Sequence, residues 1–479
     1  MNNNVWTIPK PLLQYAYGSF ILIALFMLLI DLLGIMENQF YTSLTIFSFF
    51  LSTVLIYFIS LQNTVATFVM SFTLTTAFTQ RYIITYFYPG EIAFTEVLDF
   101  TTAELEYSTM FYSCCVFTMF LGFLLGKQIK RETETLEKEN FRNQNINFFF
   151  LKLNTLRFLK IIIVLYCVLV IIKVLIISIT GIGLTGVIHS SSQTGLHWLS
   201  SRSGSIGIYA FFSMMYLHSA DKNNSIKKVF ILFFIVENIV MASRALFLSL
   251  SQSFVICSYV LKNAIQKKHI IYSSLFIVVF GGFYYVILTG LRSYLQLGQF
   301  SINIENVFLT ISGGFSQLEP LYLWIDMPKV LYENSVGFLL DIKLFVNSFV
   351  IGEIFPDTER LNLGKLMVLY GRGGKFDIFS LGGHAENPGT FAVTYMYLGF
   401  LGGALYWFLH GLLLTIIDRS QIHLFWKFSL VAAFGFGPSY VLYTHFSVLV
   451  MPMLLILTAL IVYELINLFL GIHRINRPS

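Results

Sequence analysis

Hydrophobic residues in this chain are grouped into long runs separated by polar segments. About 12 runs approach or exceed the roughly 20 apolar residues with which an α-helix crosses a ~30 Å hydrocarbon layer. These runs cover residues 13–35, 41–60, 62–80, 109–126, 159–181, 205–219, 229–243, 245–261, 270–290, 390–416, 428–444 and 447–470. The two runs around Arg244 are short, which also allows one helical hairpin or re-entrant unit there. The pattern predicts an all-α polytopic membrane protein.

Two long polar segments interrupt the apolar runs, and they divide the chain into three parts. Residues 1–290 hold predicted transmembrane helices 1 to 9, with a charged linker at 127–158 that we interpret as a solvated helix or flexible connector without chemistry. Residues 291–389 form a second part, which is too long for a mere connection. Residues 390–479 hold helices 10 to 12 and a polar tail.

Composition supports a membrane protein and excludes an ordinary soluble domain. Hydrophobic residues make up 56% of the chain and charged residues only 11%, whereas a soluble domain has roughly 25% charged residues. The first apolar run, from Leu13, is longer than a signal-peptide core and lacks a small-residue cleavage site, so we expect it to remain as a span. All four cysteines lie in predicted helices, in no spacing typical of a disulfide or metal framework.

Lysine and arginine fall mostly on one side of the predicted spans, which sets the orientation. That side carries 19 basic residues and 6 acids, and the other side carries 10 basic residues and 16 acids. Because basic loops stay in the cytoplasm, the first side is predicted to be cytoplasmic, together with both termini.

Arginines nevertheless occur on the predicted outer side, where basic residues at span ends are unusual. Arg202, Arg244 and Arg292 lie at span ends there, and Arg360 and Arg372 lie in the segment 291–389. A guanidinium binds phosphate oxygens through two parallel hydrogen bonds, so these residues are candidates for anion binding. The alternative is that they snorkel to the interface or pair with outer acids.

Lys173 and Glu237 stand out among the charged residues inside predicted spans. A charge at mid-depth costs about 2.5 to 3.5 kcal/mol on insertion scales unless it is paired or faces water. We expect an ion pair between these two residues, with a proton-transfer role for Glu237 as the alternative. Glu237 and Arg244 are two helical turns apart and therefore share one face of a helix, predicted to look toward a polar cavity.

The outer segment 291–389 is predicted to be partly helical and to cap the bundle, because its apolar runs can pack as amphipathic helices at the interface. Glycines surround Arg372 and His384, which allows tight turns and close approach of backbone amides to a ligand, or else a plain hinge. His384, Glu386 and His445 are candidates for a general base.

Three short motifs resemble the bacterial O-antigen polymerase family. They are Ala242-Ser-Arg-Ala245, Leu291-Arg-Ser-Tyr294 and Glu386-Asn-Pro-Gly-Thr390, followed by the glycine-spaced Tyr397-Leu-Gly-Phe-Leu-Gly-Gly403. The resemblance covers mainly residues 230–450. It implies an enzyme of the bacterial inner membrane, of the GT-C glycosyltransferase type, that polymerises oligosaccharide repeat units carried on undecaprenyl diphosphate at the periplasmic face.

Under this resemblance the outer arginines bind the departing diphosphate, with Arg244 and Arg292 first, and His384 or Glu386 acts as the base. His384 occupies a position similar to the loop histidine of the related O-antigen ligases. No metal, other cofactor or nucleic acid is expected. A chain-length regulator and a flippase are implied as partners, in addition to membrane lipid.

Three other functions remain open. A flippase or exporter of lipid-linked oligosaccharide would use the same diphosphate, although the long outer segment and the lack of a visible repeat argue against alternating access. An O-antigen ligase would share the fold class and most of the chemistry. A structural scaffold would not need charges inside spans or arginines at the outer rim.

Overall fold

The structure is a computed structural model, and it describes eight stretches of the chain. They are residues 102–128, 145–148, 151–180, 202–220, 225–241, 390–420, 422–434 and 442–469, with residues 22, 50–55 and scattered positions between 253 and 355. Most of these residues are helical. Four helices in the described part are long and apolar enough to cross a membrane: Tyr107–Gln128, Thr155–Ile179, Phe391–Arg419 and Leu449–Asn467. This part of the chain is therefore consistent with an all-α membrane protein.

The described stretches contain seven helices and one small sheet. The helices are α1 (Thr102–Gln128), α2 (Thr155–Thr180), α3 (Ser203–Ala220), α4 (Ile226–Met241), α5 (Thr390–Arg419), α6 (Leu424–Phe434) and α7 (Leu442–Phe469). The strands are β1 (Asn145–Phe148) and β2 (Leu151–Asn154). The predicted spans at 13–35, 41–60, 62–80, 245–261 and 270–290 and the outer segment 291–389 lie outside the described residues, apart from scattered positions.

Most predicted spans in this part agree with observed helices, but one does not. Residues 109–126, 159–181, 205–219 and 229–243 correspond to α1, α2, α3 and α4. The predicted span 428–444, in contrast, covers part of the eleven-residue α6 and the beginning of α7. Hydropathy averaged over about twenty residues did not separate these two helices, although Gly435, Gly437 and Pro438 lie between them and are typical of a break.

The linker 127–158 contains a sheet where we predicted a solvated helix or flexible connector. Strands β1 and β2 form an antiparallel hairpin in which Phe148 pairs with Leu151, whereas residues 129–144 lie outside the described residues. Side chains of β1 alternate between exposed and buried, and Ile146 and Phe148 are fully buried. Phe148 stacks on Trp426 of α6 at 5.5 Å, and the Trp426 indole N–H donates to the carbonyl of Asn147. This hairpin is also a small exception to the all-α prediction.

Helix α5 is not one straight span, because the chain reverses at Gly399. The rings of Phe391 and Trp407 stack with centroids 4.2 Å apart, and the Trp407 indole donates to Thr394 Oγ1 at 3.3 Å. In a continuous helix, sixteen residues would separate Phe391 from Trp407 by about 24 Å. Gly399 has φ 66°, a conformation that favours glycine. A short arm at 390–398 therefore folds back on a long arm at 400–419, and about 20 residues of the long arm suffice for one span.

Helix α1 runs parallel to the long arm of α5 at very close range. A Cβ added to Gly403 would meet the ring of Phe111, and one added to Gly126 would meet Thr415. A Cβ added to Gly122 would lie against the backbone of Phe408 and Leu412. Small residues allow such an approach, and Gly122 and Gly126 have the four-residue spacing of a glycine-mediated helix contact.

The remaining helices pack around an aromatic core near the hairpin. Phe425 contacts Phe158 of α2 at 4.9 Å and Phe212 of α3 at 6.1 Å, and Phe428 stacks on Phe212 at 4.4 Å. Tyr209 lies against Phe425 and Phe428 of α6. These rings join α2, α3 and α6 into one buried cluster.

Candidate functional site

A buried carboxylate joins three helices. Glu237 of α4 accepts hydrogen bonds from Lys173 Nζ at 2.5 Å and Tyr166 Oη at 2.7 Å, both on α2. Ser203, the first residue of α3, also donates to Glu237 Oε1. All four side chains are buried, and Glu237 has no exposed surface. We call Tyr166, Lys173, Ser203 and Glu237 the carboxylate cluster.

The spacing on α2 explains how this cluster forms. Tyr166 and Lys173 are seven residues apart, two helical turns, so both side chains project from one face of α2. That face meets α3 closely, because a Cβ on Gly207 would lie 3.3 Å from the Tyr166 ring. The absence of a side chain at Gly207 therefore makes room for the tyrosine that binds Glu237.

In the carboxylate cluster, the positive charge of Lys173 compensates the negative charge of Glu237. Lys173 and Glu237, for which the sequence predicted an ion pair, are in direct contact. Two neutral hydroxyls satisfy further lone pairs of the carboxylate. An ion pair withdrawn from water is tolerated when its geometry is good and its remaining polar atoms are bonded.

Arg202 immediately precedes this cluster in the chain. Its carbonyl accepts the backbone N–H of Ile206 at 3.1 Å, which makes Arg202 the residue that opens α3. Arg202 is partly buried. Among the predicted diphosphate-binding residues, Arg202 is the one that lies within the described part of the chain.

The other predicted site residues lie outside the described residues. They are Arg244, Arg292, Arg360, Arg372, His384 and Glu386. His445 belongs to α7, but its side chain is also outside the described set.

A second group of polar side chains, away from the carboxylate cluster, caps the ends of helices. Arg419 donates to the carbonyls of Gly126 and Lys127 at the end of α1, and Lys427 donates to the carbonyl of Asp418 at the end of α5. Cations are favourable there because the last carbonyls of a helix lack helical partners and carry partial negative charge.

His423 completes this second polar group, which we call the capping end. Its Nδ1 accepts the backbone N–H of Phe425 at 3.1 Å, so the ring caps α6, and its Nε2 lies 3.4 Å from Thr155 Oγ1. Burial lowers the pKa of His423 to about 4. The ring is therefore neutral near pH 7, with its proton on Nε2, since Nδ1 must accept.

The carboxylate cluster and the capping end lie far apart. Thr155 contacts the capping end, and Tyr166 and Lys173 follow it by eleven and eighteen residues on the same helix, about 16 and 27 Å along the axis. The larger of these two distances is close to the thickness of a hydrocarbon layer.

Three residues of interest escaped the sequence analysis. Tyr166 shares a helical face with Lys173, which was a usable signal, whereas nothing in the sequence marked Ser203 as a partner of Glu237. His410 is buried in α5 between Tyr406, Trp407 and Phe434. The sequence signal for His410 was the presence of an ionisable residue within an apolar span.

Within the described residues, no three His, Cys, Asp or Glu side chains lie close enough to hold a metal ion. The described chemistry is thus a compensated carboxylate beside an arginine at one end and helix caps at the other. No protein-family model matches this chain, and no curated protein or solved structure matches it either.

Proposed function

We propose that this chain is a GT-C-type membrane glycosyltransferase with about 12 spans that polymerises oligosaccharide repeat units carried on undecaprenyl diphosphate. The resemblance of residues 242–245, 291–294 and 386–390 to the O-antigen polymerase family supports this proposal. The apolar helices of α1, α2, α5 and α7 support its coarsest element, a membrane protein. The enzyme would act in a bacterial inner membrane with both termini cytoplasmic.

One structural observation carries the proposal, namely the separation of Arg202 from the capping end. The capping cations Arg419 and Lys427 bond helix carbonyls. Arg202 adjoins the carboxylate cluster, which lies about 16 to 27 Å along α2 from the capping end. An arginine at that end matches a reaction on the periplasmic face. There it would meet the diphosphate of a lipid whose tail lies in the bilayer.

The proposed reaction breaks the bond between the anomeric carbon of the growing glycan and its lipid diphosphate. A hydroxyl of the incoming repeat unit attacks that carbon, and undecaprenyl diphosphate departs with the bonding electrons. Arg202, Arg244, Arg292, Arg360 and Arg372 would stabilise the charge on the leaving group, and aligned donors of this kind contribute about a hundredfold or more in rate. His384 or Glu386 would accept the proton of the attacking hydroxyl.

A second candidate is a flippase or exporter of the same lipid-linked oligosaccharide. The reversal of α5 at Gly399 favours it, because substrate sites of transporters are commonly built from broken helices. An O-antigen ligase would carry out similar chemistry on a different acceptor.

A reconstitution experiment separates these functions. The full chain in nanodiscs is incubated with a lipid-diphosphate-linked repeat unit extracted from the cells that make it, and the products are resolved by size. A ladder spaced by one repeat is expected for a polymerase. A single transfer to another lipid acceptor would indicate a ligase, and transport across proteoliposomes without a ladder would indicate a flippase.

Replacing Arg244 or Arg292 by lysine tests the proposed diphosphate role. Lysine keeps the charge but loses the planar pair of donors, so we expect a fall in polymer yield of about a hundredfold at normal protein levels. Arg157→Lys is the matched control, because Arg157 is exposed in the first turn of α2, at the end near His423. Full activity in both outer variants would contradict the role of these arginines.

A further inference from the structure

Ser203 connects the carboxylate cluster to the chain segment that carries Arg202. It is fully buried, it begins α3, and its hydroxyl donates to Glu237 Oε1. The preceding carbonyl, that of Arg202, is bonded to the N–H of Ile206. The backbone around Arg202 is therefore held on one side by the first helical turn and on the other by a side-chain bond to a different helix.

Glu237 is a rigid anchor for this bond. Lys173 and Tyr166 hold its carboxylate from α2, on the two different oxygens. Two bonds from one helix face restrict both the rotation and the position of the carboxylate. The bond from Ser203 therefore ties the start of α3 to a fixed point, and the position of the Arg202 backbone depends on that point.

We infer that Ser203 and Glu237 are positioning residues for Arg202, and that they set the location of its guanidinium for a lipid diphosphate. This inference rests on the diphosphate role proposed for Arg202. An arginine side chain has several rotatable bonds, so a mobile backbone beneath it would spread the guanidinium over many positions. Misplacement by about 1 Å can cost on the order of a hundredfold in a reaction that depends on orientation.

A purely structural role for the cluster makes a different prediction. If Ser203 only ties α3 to α4, its loss weakens the protein or its ligand affinity by the same factor whether or not Arg202 is present. If Ser203 acts through Arg202, its loss has no further effect once the guanidinium is gone. A double-mutant cycle distinguishes the two cases.

The experiment measures the affinity of the full chain in nanodiscs for undecaprenyl diphosphate. We expect Ser203→Ala to weaken binding about five- to tenfold, which is the change in affinity expected from the loss of one hydrogen bond. Arg202→Ala is expected to weaken it more, and the double variant should bind as weakly as Arg202→Ala alone. Independent, multiplying losses would overturn the inference.

Ser213→Ala is the matched control. Ser213 is a fully buried serine on the same helix, but its hydroxyl donates to the backbone carbonyl of Tyr209. Its removal should leave the affinity unchanged. Equal losses in Ser213→Ala and Ser203→Ala would mean that any buried hydroxyl of α3 matters, and would overturn the positioning role.

Tyr166→Phe provides a second test that hardly changes side-chain volume. It removes the donor to Glu237 Oε2 without touching Ser203. We expect a smaller loss of affinity, which should again vanish in the Arg202→Ala background. Unchanged affinity in both Ser203→Ala and Tyr166→Phe would contradict the inference alone, whereas unchanged affinity in Arg202→Ala would contradict the diphosphate role of Arg202.

Discussion

At the scale of single residues, the chain uses buried polar groups in two ways. Glu237 carries a charge that Lys173 compensates, and the pair joins α2 to α4. His423 stays neutral and uses one ring nitrogen as an acceptor at the start of α6. Both residues lie where an unbonded polar group would be costly, so each should be sensitive to a change in its partner or its protonation.

Removing one member of the ion pair should cost more than removing both. Glu237→Gln leaves the Lys173 ammonium buried without a counter-charge, and we expect a loss of about 3 kcal/mol in the free energy of unfolding. The double variant Lys173→Met with Glu237→Gln should lose clearly less. Unfolding in mixed micelles measures both values. A double variant no more stable than the single one would show that the charge on Lys173 is not the source of the loss.

Acid should weaken the protein through His423. Because its pKa in the folded chain is about 4, against an ordinary value of 6.5, the unfolded chain binds a proton in that interval and the folded chain does not. Stability contributed by the neutral ring is therefore complete above about pH 6.5 and is lost as the pH falls toward 4. Since the ring is partly exposed, we expect about 1 to 2 kcal/mol.

Melting temperatures between pH 7.5 and pH 4.5 test this effect. His423→Asn is the control, because asparagine can still cap α6 but does not titrate in this range. The variant should lose less stability on acidification than the natural chain. Identical pH profiles for the two chains would exclude His423 as the group responsible.

At the scale of elements, close backbone contact decides how α1 and α5 associate. Gly122, Gly126, Gly403 and Gly411 all lie where an added Cβ would meet the partner helix. Helix positions were predictable because hydropathy is a local property. The reversal at Gly399 was not, because glycines at 399, 402 and 403 are equally compatible with a straight glycine-rich helix.

Gly122→Ala should separate α1 from α5. The new Cβ would overlap the carbonyl oxygen of Phe408 and lie 2.9 Å from the amide nitrogen of Leu412, and neither backbone atom can rotate aside. We expect a loss of about 2 kcal/mol in the free energy of unfolding. Gly204→Ala is the control, since nothing lies within 4 Å of its added Cβ.

The changes in the free energy of unfolding caused by Gly122→Ala and Gly204→Ala should differ in sign or in size. Alanine has the higher helix propensity, so Gly204→Ala is expected to be neutral or stabilising by up to about 1 kcal/mol. Both variants are measured by the same unfolding assay. Equal effects at the two positions would mean that helix propensity, and not the contact with α5, controls the outcome.

At the scale of the whole molecule, the carboxylate cluster lies about 16 to 27 Å along α2 from the capping end. The positive-inside pattern predicts that the capping end faces the cytoplasm and the segment 291–389 faces outward. Arg419 and Lys427, which bond helix ends at the capping end, are among the basic residues from which this orientation is predicted.

Cysteine labelling tests this orientation in intact cells. Ser225→Cys lies in an exposed position before α4, on the side predicted to be cytoplasmic, and Ser335→Cys lies in the segment predicted to be outer. A maleimide that cannot cross membranes should label Ser335→Cys in cells and Ser225→Cys only after the membrane is opened. The unsubstituted chain gives the background of the four natural cysteines, and the reverse pattern would invert the proposed topology.

The sequence by itself determined the membrane character, the approximate positions of α1 to α4 and the separation of basic from acidic segments. These properties depend on the composition of about twenty consecutive residues and on the cost of burying charge. Only the tertiary structure decided that β1 and β2 pack on Trp426, that α5 turns back at Gly399, and that Tyr166 and Ser203 meet Glu237. Each of these features depends on contacts between segments that are separated in the chain, and such contacts leave little trace in local hydropathy.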